Sequence, residues 1–457
     1  MNQKEIQHLY WRAGFGINPI LLSNTSLSRK KVVDVLFRNA EPITPLYIDL
    51  SYLDGINPSD LKKYPSLEKE IRDKSSKSIL ELNYAWVNRL INPTELLRER
   101  MTLFWANHFV CRDRNPLHML QYNNTLRDYA LGDFRDFVKA ISKETSMLKY
   151  LNGKQNRKRH PNENFARELM ELFTLGEGKY SEKDIKESAR AFTGYNHNFY
   201  GEFVFRENQH DDGFKTFFGE TARYNGDDII DKILERRECA QYVSSKIYRY
   251  FVNPVPNNTH IEAMTEVFYK DYNIEKLMRF VFLSDWFYND KNIGAKIKSP
   301  IELLVGIANT VPVKFEREKD LLVIQRILGQ SLLNPPNVAG WKGDKAWIDA
   351  NTIMVRLKLP SVLLNNALIS LKEYGDFNDK FRKQYFKRTK GKLPFKVLPN
   401  WDVFSKNFDS IATENLTDII IQGTINKGTA SFLNTLSKAS KRDYCVQLMS
   451  LPEYQMC

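Results

Sequence analysis

Cysteine is scarce and scattered: Cys111, Cys239, Cys445 and Cys457 are the only four in 457 residues, and no two stand at a short spacing. A disulfide-stapled scaffold and a cysteine-rich zinc site both need clustered thiols, so the spacing fits reduced or incidental thiols better than either. Long apolar runs are missing too, which rules out a membrane-spanning helix and a membrane partner. The opening Met1-Asn2-Gln3-Lys4-Glu5-Ile6-Gln7-His8 has no apolar core of an export signal, so the chain as written is expected in the cytoplasm. Nor is one sign of charge in great excess. With 67 Lys+Arg against 55 Asp+Glu the surplus is +12, spread along the chain, which permits an anionic partner without demanding one.

What is present is a folded composition, 42% hydrophobic and 12% aromatic, too apolar for disorder. The length suggests subdivision into an N-terminal helical and loop segment over 1–75, a central helical region over 76–225, and a C-terminal helical region over 226–457. Helical periodicity dominates, so the expected class is mainly α: a multi-helix domain with a small β-hairpin insertion.

One stretch stands out. Pro161 and Asn162 give a stiff, capped entry, Glu163 places negative charge in the first turn, and Gly176 supplies a left-handed stop. Between them Phe165, Leu169, Leu172 and Phe173 recur at helical spacing, at about 100° per residue, and form one apolar arc. Glu168 projects inside that arc. A carboxylate so placed must be paired, hydrogen-bonded or neutral. At helical spacing Arg167 reaches Glu171 and Asn164 reaches Glu168. Two readings stand: Glu168 cross-links neighbouring elements, or it is the acid of a functional site.

Other candidates lie to either side. His108 falls on the apolar stripe Leu97, Met101, Phe104, as a core histidine or as a ligand and proton carrier. The loop Lys154-Gln155-Asn156-Arg157-Lys158-Arg159-His160 is a solvated connector or an anion-binding lip. Ser181-Glu182-Lys183-Asp184 opens the next helix with a capping-box pattern. Over 199–219 the period changes to alternation, with His210-Asp211-Asp212-Gly213 read as the hairpin turn; His210 and Asp211 are candidate metal ligands or an acid/base pair. Asn334-Pro335-Pro336-Asn337-Val338-Ala339-Gly340-Trp341 is a rigid loop presenting Trp341. The 379–396 stretch, basic with interleaved aromatics, carries the best nucleic-acid argument, though a solvated surface explains it more cheaply and nucleic acid ranks last among the partners.

Taken together, the segments from His8 to Gly16, Phe104 to Phe109, Asn162 to Gly176, Asp184 to Gly194, His210 to Gly219, Asn334 to Trp341 and Ser450 to Gln455 resemble a bacterial family, domain-of-unknown-function family 1800. The resemblance brings no established activity. It implies partnership with a second family, often encoded next door and similar to sulfatases, and export of many members, so a periplasmic or exported location stands beside the cytoplasmic one. Phe173 departs from the pattern, since many relatives resemble one another in a histidine there, and this weakens any metal site using that position.

The leading functional reading is an acid/base hydrolase acting on a polymeric or carbohydrate-like substrate. Glu168 is its general acid, Glu171 or Asp211 the partner base, and His108 and His210 orient or coordinate. Asn164, Arg167, Lys215, Asn337 and Trp341 are the substrate-binding candidates, with Arg167 and Lys215 stabilising negative charge and Trp341 lining the cleft. One alternative is a non-catalytic assembly protein working with the neighbour-encoded partner. Another is a metalloenzyme holding a divalent metal through His108, His210 and Asp211.

Overall fold

The helix starts of this chain are set by short polar side chains. Asn2, Ser181, Asn225 and Ser299 each complete a capping box with the residue three positions on, and Ser28, Asn115, Asp133, Asn257 and Asn273 accept one or two backbone N–H groups of the first turn. Each satisfies donors that the helix itself leaves open. The computed structural model describes residues 1–16, 27–367, 395–436 and 439–457, with the backbone of 369–370 and 392–393.

The helices that position the site are α1 (Gln3–Ala13), α2 (Arg29–Arg38), α3 (Pro65–Ile91), α4 (Leu96–His108), α5 (Pro116–Asp128), α6 (Phe134–Lys143), α7 (Thr145–Tyr150) and α8 (Asn164–Glu168). They are followed by α9 (Glu182–Ala191), α10 (Gly226–Leu234), α11 (Arg237–Phe251), α12 (Asn258–Tyr269), α13 (Ile274–Leu283), α14 (Pro300–Thr310), α15 (Lys319–Leu328) and α16 (Thr352–Leu364). The class expected from the sequence, mainly α with small hairpins, is the class observed. Helix α3 packs its C-terminal half against α5, α14 and α15, while α11, α12 and α13 stack in succession. Buried side chains from all parts of the described chain join one hydrophobic cluster.

The aromatic content is spent at the centre of that cluster. Trp105 of α4 stacks on Phe109 at 5.7 Å and meets Phe137 of α6 edge-on at 5.3 Å, and Phe109 meets Phe173 at 5.4 Å. Such ring pairs add about 0.5–1.5 kcal/mol each beyond area burial. Some charges inside the core are paired, whereas the buried Arg12 and Lys298 rest on the carbonyls of Asn292 and Tyr454. Arg127 grips Glu99 through two bonds, 2.6 and 3.1 Å, with both side chains fully buried. Glu302 at the start of α14 receives both Arg100 and Lys296.

Strands are few and short. β1 (Tyr195–His197) pairs antiparallel with β2 (Phe203–Phe205), and β3 (Lys215–Phe217) with β4 (Glu220–Ala222). β5 (Val313–Phe315) pairs with β6 (Val397–Pro399), and a two-residue ladder joins 369–370 to 392–393. The single hairpin expected over 199–219 is therefore two hairpins. The β3–β4 turn falls at Phe218 and Gly219, whose φ values of 47° and 84° make the paired left-handed conformation that suits a tight hairpin. His210-Asp211-Asp212-Gly213 instead connects the hairpins, because Asp211 is held by Arg190 of α9 rather than by a strand partner. The basic 379–396 stretch lies outside the described residues up to position 394, apart from that short ladder.

Candidate functional site

Helix α8 runs without a break into a π-helical segment, Leu169–Thr174, in which backbone bonds reach back further than in an α-helix. Leu175 N donates to Met170 O at 2.9 Å, and Gly176 N to the same oxygen at 3.0 Å. Gly176 is left-handed at φ 85°, and a Cβ there would meet the Tyr242 ring at 2.8 Å, so the stop read from the sequence is real and sterically required. The carbonyls left open at this end are taken by side chains from other helices. Leu172 O accepts from Tyr242 Oη at 3.1 Å and Lys246 Nζ at 3.3 Å, both on α11, and Phe173 O accepts from His108 Nε2 at 2.9 Å. Segments of this kind recur at functional sites because the widened turn re-aims side chains.

His108 is thereby assigned. Donating through Nε2 fixes its tautomer, leaving Nδ1 buried and, among the described residues, without a hydrogen-bond partner. Burial first, and the Lys246 charge second, hold its pKa well below the usual value, against the bond to Phe173. It is a neutral cap in the aromatic core, stacked on Phe104 and edge-on to Trp105. Lys246 is the positive group at the negative end of the segment, and burial lowers its ammonium to about 8.

The two carboxylates on this segment have different surroundings. Glu168 is half-buried, and among the described residues nothing donates a hydrogen bond to it. Burial raises its pKa, Glu171 raises it further, and Arg167 opposes them. Glu171 accepts from Tyr180 Oη at 2.9 Å. That phenol is pushed up by burial and then by the bond itself, so it remains a donor. The pairing expected along the helix does not form. Arg167 turns to Glu182 of α9, with two bonds of 2.9 Å, and to Glu163 at 3.3 Å. The exposed Asn164 uses its backbone N–H on Asn162 Oδ1 at 3.1 Å and makes no bond to Glu168. The widened turn carries Glu171 off the ideal four-residue ladder, and Glu182 offers the guanidinium a better fork.

The hairpin candidates gather elsewhere. Arg190 holds both Asp211 oxygens, at 2.7 and 3.3 Å, and Gly213 N reaches Oδ1 at 2.9 Å. Burial alone would raise this carboxyl, but those donors outweigh it and leave the pKa lowered. Lys215, 1% exposed, gives its ammonium to the carbonyls of Asp211 and Gly213, and burial lowers its pKa. His210 Nδ1 lies 2.8 Å from Thr193 O, and its ring packs on Phe205. These groups tie a connection to α9 and touch none of Glu168, Glu171 or His108. Among the described residues no group of three or more His, Cys, Asp and Glu side chains is placed to hold a metal ion, so the structure does not assemble His108, His210 and Asp211.

The Pro-Pro loop docks on α4. Asn107 accepts from Trp341 N at 2.8 Å and returns its Nδ2 to Trp341 O at 3.0 Å, matching both backbone groups of one residue. Gly340, at φ 73°, passes so close that a Cβ would lie 2.2 Å from Asn107 Oδ1. Trp341 is half-buried at this clamp, and the exposed Asn337 caps its own turn through Ala339 N at 3.0 Å. Beside the loop, Arg112 gives Nη1 to Asn334 Oδ1 at 3.2 Å.

Several groups were not found by reading the sequence. Lys246 and Tyr242 stand four apart on a distant helix, and only their shared carbonyl marks them. Tyr150 of α7 has a raised phenol: burial raises it, Arg112 lowers it, and Cys111 and Glu168 raise it. Glu144, between α6 and α7, accepts from Thr125 Oγ1 on its carboxyl, which burial lifts to about 7. No periodicity signals it, since it sits at a junction.

The architecture defines a mainly helical protein whose distinctive local feature is a capped π-helical turn bearing two acids. The chain belongs to the family described as protein of unknown function (DUF1800), whose profile matches residues 8–456, essentially its whole length. Searches of curated proteins and of solved structures find no match. No helix among the described residues is long and apolar enough to cross a membrane.

Proposed function

We propose that the turn carrying Glu168 and Glu171 is the centre of an acid/base hydrolase acting on a polymeric, carbohydrate-like substrate. The supporting observation is the contrast between the acids: Glu168 is half-buried, raised in pKa and, among the described residues, unclaimed by a donor, whereas Glu171 is held by Tyr180. An acid whose pKa is raised beside a second carboxylate is the arrangement that divides proton donor from base. In this reading Glu168 gives its proton to the departing oxygen and Glu171 takes one from the attacking water. The C–O bond breaks, a new C–OH forms, and exchange with solvent restores both acids. Asp211 has no part as the base, since Arg190 occupies it.

The test is turnover on a panel of polysaccharides and glycosides. Glu168→Gln, which preserves shape and removes the proton, is expected to cut kcat by about 10²–10⁴-fold on any substrate the native protein turns over. Turnover retained within threefold of native would remove the reading.

A further inference from the structure

The link between β1 and β2 is fastened by its carbonyls. Three in a row meet side chains of two helices: Phe199 O faces His118 Nε2 of α5 at 3.1 Å, Tyr200 O accepts from Gln121 Nε2 of α5 at 2.9 Å, and Gly201 O accepts from Thr145 Oγ1 of α7 at 2.8 Å. The fit is close, since Gly201 is left-handed at φ 86° and a Cβ there would run into the Gln121 amide. Tyr200 Oη donates to Ile56 O at 2.8 Å, so the same tip also ties down the stretch before α3. Of the three side chains that hold these carbonyls, only His118 can change its charge.

His118 is 4% exposed and has an oxygen acceptor at each ring nitrogen. Nδ1 lies 3.2 Å from Asp113 Oδ2, and carboxylate and carbonyl oxygens can only accept. Both contacts are hydrogen bonds together only when the ring carries two protons. A neutral ring has a different partner in reach. Asn115 commits its Oδ1 to Leu117 N at 2.9 Å, which turns its Nδ2 toward His118 Nε2 at 3.3 Å. With its one proton kept on Nδ1 for Asp113, the ring accepts from Asn115, and its lone pair is then set against those of Phe199 O. Lys149 of α7 pairs with Asp113 and lies 3.4 Å from Nδ1, so its charge opposes a second proton on the ring. His197 of β1 meets the ring edge-on at 5.7 Å and spends its own Nδ1–H on Asn198 O at 2.8 Å. Burial first, and then Lys154 on the turn packed against β1, lower the pKa of His197, so it presents no second cation. Glu144, at the start of α7, is turned to Thr125 of α5.

We infer that the β1–β2 tip is a proton-operated clasp on α5 and α7, closed while His118 carries two protons and loosened when it loses one. The charged ring gives Phe199 O a charge-assisted donor, and the neutral ring replaces that donor with a lone pair. Gln121 and Thr145 hold in both states, so the change is a local loosening of 198–202 and leaves the helical core in place.

Hydrogen exchange of the full chain is followed over peptides covering 198–202 at about pH 5.5 and about pH 8.5, corrected for the intrinsic pH dependence of exchange, with α14 as internal reference. Protection at the tip is expected to fall at least ~10-fold relative to α14 as pH rises. His118→Gln, whose amide can donate to Phe199 O at every pH, should remove that dependence, and Glu144→Gln should keep it. Asp113→Asn takes away the carboxylate that favours the charged ring and should move the loosening to lower pH. Nitrogen NMR of histidine-labelled protein, with the His118 signals identified by their loss in His118→Gln, should show two ring protons at the acid end and one at the alkaline end. The inference is overturned by tip protection that tracks α14 at both pH values, or by a dependence that survives His118→Gln or is lost in Glu144→Gln. It is equally overturned by a loosening unmoved in Asp113→Asn, or by a His118 ring that keeps one protonation state throughout.

Discussion

Two glutamates, each set in a helix against apolar neighbours, show how differently burial can be resolved. Glu302 is sealed in the core, where Ser299 N, Lys296 and Arg100 all donate to it. Burial pushes its carboxyl up, but Arg100 and then Lys296 outweigh that, so it lies far below the usual range. Glu168 is only half-buried, yet its pKa is raised, first by that burial and then by the like charge of Glu171, and among the described residues no donor offsets them. Depth alone therefore does not decide the state of an acid. The number of donors aimed at it does, and a half-buried acid without them is available for chemistry.

The comparison breaks most readily at Glu302. Glu302→Ala strands Arg100 and Lys296 in the core and is expected to cost about 3–5 kcal/mol in urea unfolding. A cost below about 1 kcal/mol would show that the aromatic faces around Arg100 carry the charge unaided. The next effect is at Glu144, whose folded pKa of about 7 exceeds its unfolded value, so the folded state binds the extra proton. Its stabilisation is fully present below about pH 4.5 and is lost as pH rises through 7, a swing of up to ~3 kcal/mol. Glu144→Gln is thus expected to flatten the pH dependence and to melt higher than native at pH 8; an unchanged melting profile would refute this. The smallest effect sets Asp211 against Glu168. Asp211→Asn removes a partly exposed fork with Arg190 and is expected to cost about 1 kcal/mol at pH 7. That difference disappears in acid, because a depressed carboxyl loses its contribution as pH falls through its folded pKa. Glu168→Gln should leave stability within about 0.5 kcal/mol. If calorimetry reverses the order of these two, Glu168 has a structural partner.

Much of the fold was legible. Capping residues, helical periodicity and the Gly176 stop placed the central helix, and the apolar arc put Glu168 inside it, where the side chain is half-buried. What could not be read was the widened turn after Glu168. A π-helical segment has no composition of its own; it exists because Tyr242, Lys246 and His108 arrive from elsewhere to take the carbonyls it releases. The same blindness to distant partners explains the errors. Arg167 and Glu171 had ideal spacing, but Glu182 competes for the guanidinium. Asp211 had the look of a hairpin turn, but Arg190 claims it from α9. His108 was legible on its stripe, but the carbonyl its ring closes belongs to another helical segment.

The cap on that turn has a mechanical consequence. Leu169–Thr174 is fastened at its far end by α4 through His108 and by α11 through Tyr242 and Lys246, three bonds from two directions. Its looser winding is slack held in place by its neighbours. The end of the turn that carries Glu171 is thus tied to two helices remote from it in the chain, and its winding depends on both.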